Sequence, residues 1–122
     1  MPVKRILVVE DDTHTADLVA ETLKMEGFFV LKAGSGEEAL EVLKKEGVDL
    51  ILMDMLLPGI KGWKLADELK KDPKTANIPI LVVSILAPDE TNLQKDNASI
   101  RGFVCKPFDL SVLIQEVKKN AH

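Results

Sequence analysis

Charged and hydroxyl side chains follow four of the hydrophobic runs in this sequence, each directly after the run ends. These residues are Glu10, Asp11, Asp54, Ser84 and Lys106. Carboxylate oxygens are ligands that Mg²⁺ prefers, a serine hydroxyl can donate to a phosphoryl oxygen, and a lysine ammonium offers a point charge to a phosphate. If folding gathers these groups, we expect a cleft that binds a metal ion and a phosphoryl group, with Asp54 as the carboxylate nucleophile.

The hydrophobic runs predict strands of a parallel sheet, which would bring those ends together. The run Leu50–Met53, preceded by Val48, is apolar throughout and indicates a strand that is buried on both faces. Pro58 and Gly59 then break regular structure, so Asp54 lies where this strand meets a loop. In an open parallel sheet the carboxyl ends of the strands form one edge, and ligands bind there.

Helical patterns alternate with these strands along the chain. Further strands are predicted at Ile6–Val9, Phe28–Ala33, Ile78–Val83 and Phe103–Cys105. Helices are predicted up to Gly27, from the Ser35 capping box to about Gly47, over Gly62–Lys71, in the polar stretch Pro88–Ser99, and after the cap Asp109. Five strand–helix repeats predict an α/β fold, a doubly wound five-stranded parallel sheet with five helices on its two faces. We expect one domain over residues 1–122, with no output domain.

Composition excludes several classes of protein. Hydrophobic residues make up 46% of the 122 positions, which indicates a globular chain. The 16 basic and 20 acidic residues give a net charge of -4, which argues against direct nucleic-acid binding. We expect no membrane partner, because no apolar run could span a bilayer, and no signal peptide. The single Cys105 suits a cytoplasmic protein and is predicted to be a small buried hydrophobe.

Each polar residue at a strand end also has a simpler explanation. Glu10 and Asp11, with Asp12, would favour the start of the first helix, Ser84 would be a loop hydroxyl, and Lys106 a solvated charge. The joint arrangement, with all of them at strand ends, favours the functional interpretation.

An ordered set of motifs supports that interpretation, because together they resemble the receiver domain of two-component response regulators, in the CheY-like superfamily with its flavodoxin-like (βα)5 fold. The motifs are Val8-Val9-Glu10-Asp11-Asp12, Leu52–Gly59 with Gly62, Ser84, and Phe103-Val104-Cys105-Lys106-Pro107-Phe108. The resemblance covers essentially the whole chain.

The resemblance implies a role for each polar residue. Asp54 would accept a phosphoryl group from a phosphohistidine of a sensor histidine kinase or phosphotransfer protein. Glu10 and Asp11, with Asp54 and the backbone carbonyl of Leu56, would hold Mg²⁺. Lys106 would supply the cation of the family, aimed by a cis bond to the following proline.

The resemblance also implies a switch and a downstream protein effector. Ser84 would meet the phosphoryl group, and Phe103 would be the switch aromatic. Ile85 stands where the family usually has a small residue, so it could crowd Phe103. Leu56 and Leu86 are both apolar, so we expect slow self-dephosphorylation, because neither side chain can orient a hydrolytic water.

Other functions remain open at this point. A pseudo-receiver would keep the fold as an interaction module that needs no phosphorylation, and the chain could also be a receiver fragment of a larger regulator. An independent enzyme is disfavoured, because a nucleotide site would want a glycine-rich loop where Glu10 and Asp11 stand. A phosphatase would want an acid where Leu56 stands. Homodimerisation through the last two helices is left open.

Overall fold

The computed structural model describes residues 4–85 and 99–121 as one parallel sheet with helices against it. Its strands are β1 (Arg5–Val9), β2 (Phe29–Ala33), β3 (Leu50–Met53), β4 (Ile80–Ser84) and β5 (Ile100–Cys105). Its helices are α1 (Thr13–Met25), α2 (Gly36–Lys45), α3 (Gly62–Lys71) and α4 (Leu110–Asn120). The strand order β2-β1-β3-β4-β5, all parallel, confirms the predicted doubly wound sheet.

Side chains of the central strands pack alternately into two separate hydrophobic cores. On β1, Leu7 points into one core and Ile6 into the other, as the two-residue period of a strand requires. The first core is closed by residues of α2 and α3, and the second by residues of α1 and α4. All four residues of β3 are buried, as predicted for a strand that is covered on both faces.

Local signals set the helix starts. Ser35 caps α2, its hydroxyl accepting from the backbone N–H of Glu38 at 3.1 Å, and Asp109 caps α4 by accepting from the N–H of Ser111 at 3.0 Å. The inward face of α1 is the predicted one: its buried residues are Ala16, Val19, Ala20 and Leu23. Among the described helices, none is both long and apolar enough to cross a bilayer.

Three details differ from the sequence predictions. The strand predicted from Ile78 begins at Ile80, since Pro79 has no N–H for a ladder. The last strand begins at Ile100, three residues before the predicted start, because Ile100 is buried and belongs to the first core. Cys105 is exposed, not buried. It ends β5, one of the two edge strands, and points to the opposite face from the buried Val104.

Four of the five predicted helices lie within the described residues. The helix predicted for Pro88–Ser99 lies outside them, except for Ser99, which forms a turn before β5. Leu86 also lies outside the described part of the chain.

Candidate metal and phosphoryl site

The sheet order places the ends of β1 and β3 side by side. The backbone N–H of Asp54 donates to the carbonyl of Val9 at 3.1 Å, and the N–H of Glu10 donates to the carbonyl of Ala33 at 3.0 Å. These bonds continue the ladders beyond the strands themselves. Backbone hydrogen bonds therefore set the positions of both acids, independently of any side-chain contact.

Three carboxylates converge at this edge. Glu10, Asp11 and Asp54 each place one oxygen within 4.8 Å of the other two. Glu10 and Asp54 are only 6% exposed, whereas Asp11 faces solvent. Like charges at this spacing repel one another, and a cluster of hard oxygen donors with one open side suits Mg²⁺, which keeps several of its waters. The residues present therefore fit a magnesium ion.

The ammonium of Lys106 lies between the two buried acids. Its Nζ is 2.6 Å from Oε2 of Glu10 and 2.9 Å from Oδ2 of Asp54. The second oxygen of each acid is also bonded: Oε1 of Glu10 accepts from the N–H of Asp12 at 3.2 Å, and Oδ1 of Asp54 accepts from the N–H of Leu56 at 2.9 Å. Lys106 precedes Pro107 through a cis peptide bond, as predicted.

Burial and pairing shift the pKa values of two of these groups. Burial raises the pKa of Glu10 above its ordinary value of 4.5, and the hydrogen bond from Lys106 offsets only part of this effect. Burial alone would lower the pKa of Lys106, but the hydrogen bonds to Glu10 and Asp54 outweigh it and raise that pKa above 10.5. Lys106 is therefore fully charged at neutral pH and compensates its two neighbours.

The sequence of this chain matches the model of a known protein family. Residues 6–118 match the response regulator receiver domain. The chain belongs to that family. Receiver domains are the signalling modules of two-component systems and not enzymes in the usual sense, so the predicted family and fold are both confirmed.

Two known proteins are similar to this chain over nearly its whole length. The DNA-binding dual master transcriptional regulator RpaA of Synechocystis sp. is 31% identical over 114 residues, which cover 93% of this chain and 47% of RpaA. Protein PilH of Pseudomonas aeruginosa is 28% identical over 113 residues, 93% of either chain. This receiver thus spans about half the length of RpaA, but nearly the full length of PilH.

A solved structure shares the same fold. The response regulator TrrA of Thermotoga maritima, crystallised in complex with Mg(2+)-BeF, superposes with a TM-score of 0.83. The two are 32% identical, and the match covers 96% of this chain and 98% of TrrA.

The remaining predicted site residues lie at or near the carboxyl ends of β3, β4 and β5. Ser84 is buried at the end of β4, and its carbonyl accepts from the N–H of Lys106 at 2.9 Å. Phe103 is half-buried and packs against the first core. Ile85 is 66% exposed. Leu56, whose carbonyl is the predicted fourth metal ligand, is partly exposed in the loop after Asp54.

The sequence did not indicate that Glu10 pairs directly with Lys106. The two residues are 96 positions apart, and the strands that they follow, β1 and β5, are separated in the sheet by β3 and β4, so the contact depends on the reach of the Lys106 side chain. The only available signal was that both follow strands.

Proposed function

We propose that this receiver accepts a phosphoryl group on Asp54 from a phosphohistidine, in a reaction that requires Mg²⁺. The observation that carries the proposal is the contact of the Lys106 ammonium with both Asp54 and Glu10 beside the exposed Asp11. Strand ends from β1, β3 and β5 converge there, which separate local roles for these residues would not require.

The chemistry that the chain itself supplies is positioning and charge. One oxygen of Asp54 attacks phosphorus while the bond from phosphorus to the histidine nitrogen breaks, and that nitrogen keeps the electron pair. The N–H of Leu56 holds the other oxygen of Asp54 at 2.9 Å, which orients the carboxylate. The ammonium of Lys106 and the hydroxyl of Ser84 would stabilise charge on the phosphoryl oxygens.

Glu10, Asp11, Asp54 and the carbonyl of Leu56 are the proposed magnesium ligands. When bound, Mg²⁺ would neutralise charge on the acids and on the incoming phosphoryl group. Support comes from the 4.8 Å cluster of oxygens and from the relative TrrA, which was crystallised with Mg(2+)-BeF.

The proposed output is a conformational change that a downstream protein effector recognises. Ser84 and Phe103 would form the switch, because the carbonyl of the buried Ser84 is bonded to the N–H of Lys106, and Phe103 packs against the first core. The outward position of Ile85 leaves its bulk in solvent.

The test is incubation with acetyl phosphate and Mg²⁺, followed by intact-protein mass spectrometry. We expect one added phosphoryl mass on the wild type and none on Asp54→Asn. Asp49→Asn is the matched control, since Asp49 is an exposed aspartate just before the amino end of the same strand β3. A wild type that gains no mass would instead support a pseudo-receiver, which acts without phosphorylation.

We also propose that the receiver acts as a stand-alone module. Its support is PilH, a relative of which the match covers 93%, whereas RpaA, at about twice the length, illustrates the alternative of a longer regulator. An immunoblot of the source cells decides: a band at the 13.5 kDa of this chain supports the proposal, and a band near twice that mass contradicts it.

A further inference from the structure

Gly62 brings the first residue of α3 into backbone contact with Asp54. A Cβ at Gly62 would lie 2.6 Å from the carbonyl oxygen of Asp54 and 2.6 Å from the Cα of Met55. The N–H of Gly62 also donates to the carbonyl of Met55 at 3.0 Å. Neither neighbouring atom belongs to a flexible side chain, so any substitution here must move the backbone that carries Asp54.

Gly36 makes a milder contact at the other end of the same loop. It is the buried first residue of α2, and a Cβ there would lie 3.1 Å from the Cβ of Ile60 and 3.2 Å from its carbonyl oxygen. Such a Cβ would require a shift of a few tenths of an ångström. The loop that joins β3 to α3 is therefore held near both ends by helix starts that approach it closely.

This loop carries the groups on which metal binding would depend. Between the two contacts lies Leu56, whose N–H orients Asp54 and whose carbonyl is a proposed ligand. Mg²⁺ tolerates little deviation from octahedral geometry at about 2.0–2.1 Å. A displacement of a few tenths of an ångström is thus large for the metal, although it is small for the fold.

We infer that Gly36 and Gly62 are positioning residues for magnesium binding, because only a residue without a side chain lets α2 and α3 hold the loop in place. This inference rests on the proposed function. It predicts that the loss of metal affinity in glycine-to-alanine variants follows the closeness of the contact at each glycine.

The test measures Mg²⁺ dissociation constants of the full chain by titration of ¹H–¹⁵N amide spectra, which also report the metal-free Leu56 and Asp54 resonances. Gly47→Ala is the matched control, because a Cβ at Gly47 meets nothing within 4 Å. In catalysis a 1 Å misplacement can cost about 100-fold in rate, and we apply the same scale to a displaced metal ligand. We therefore expect about threefold to tenfold weaker binding for Gly36→Ala, more than about tenfold for Gly62→Ala, and less than about twofold for Gly47→Ala.

The outcomes separate this inference from the proposed function. A wild type that binds no Mg²⁺ would refute the proposed function, and the inference with it. A wild type that binds Mg²⁺, with folded Gly36→Ala and Gly62→Ala variants that bind as tightly and leave the Leu56 and Asp54 amides unshifted, would overturn the inference alone. If Gly62→Ala does not fold, the Mg²⁺ affinity and amide spectrum of Gly36→Ala still test the inference. An unfolded Gly36→Ala would overturn the inference, because its contacts call for only a small shift.

Discussion

Replacing Lys106 by methionine removes one ammonium and keeps most of the apolar stem. Glu10 and Asp54 would then lie buried beside each other and beside Asp11, with no cation among them. We expect the metal-free variant to be less stable than the wild type at neutral pH, and to bind Mg²⁺ more tightly, because the ammonium no longer competes with the metal for the same oxygens.

The distances give the size of the effect. At an effective dielectric constant of about 20, each contact at 2.6–2.9 Å corresponds to about 6 kcal/mol of attraction. Desolvation of the three groups offsets most of that, and removing one partner of a fully buried pair costs about 3–5 kcal/mol. The Lys106 side chain is 19% exposed, so solvent screens part of this interaction. We therefore expect the variant to lose about 2–4 kcal/mol of unfolding free energy, or about 8–15 °C in Tm for a chain of this size.

The assay is urea and thermal unfolding in EDTA, followed by a Mg²⁺ titration. We expect about tenfold tighter Mg²⁺ binding by the variant, equivalent to about 1.4 kcal/mol. Lys32→Met is the control: Lys32 pairs with Asp17 at 2.7 Å, but both side chains are about half exposed, so little should change. Equal stability of Lys106→Met and wild type in EDTA, or unchanged metal affinity, would refute the reasoning.

Three other substitutions test separate parts of the molecule. Burial raises the pKa of Glu10 above 4.5, so that group favours the folded state below pH 4.5, and its contribution is lost as the pH rises through the raised value. In EDTA, the unfolding free energy of Glu10→Gln minus that of wild type should therefore increase as the pH rises from 4.5 through the raised pKa and then level off, and a constant difference would contradict this. The phosphorylated wild type should lose its added mass slowly in Mg²⁺, and Leu56→Asn should accelerate the loss at least about tenfold by orienting water; a wild-type half-life of seconds would count against the idea. Ser35→Ala should cost about 1 kcal/mol in urea unfolding, because the N–H of Glu38 loses its acceptor, and no loss would mean that the cap contributes nothing.

Residue pattern alone predicted the sheet, and it placed the candidate site at the carboxyl edge of that sheet. The all-apolar β3 required cover on both faces, and its emergence at Asp54 placed that acid at the edge where other strands end. The same rule located Glu10 and Lys106, since each follows a strand that pairs in parallel with its neighbour. These predictions needed only the direction of the strands, which a parallel fold fixes.

Details set by distances between remote segments could not be predicted in this way. The exposure of Cys105 depends on β5 being an edge strand, because the same three-residue run would be buried in the middle of a sheet. The contact of Gly36 with Ile60 has no signal in the sequence, since it depends on how α2 lies against a loop more than twenty positions away. The roles of the site residues remain predictions for the experiments above.

The bond from Lys106 to Glu10 joins positions 96 apart in a chain of 122 residues. On a ribosome, the acids therefore emerge long before the charge that neutralises them. A nascent or truncated chain that ends before Lys106 lacks the cation that pairs with Glu10 and Asp54. Under the proposed function, a chain would therefore accept a phosphoryl group on Asp54 only after synthesis has passed Lys106.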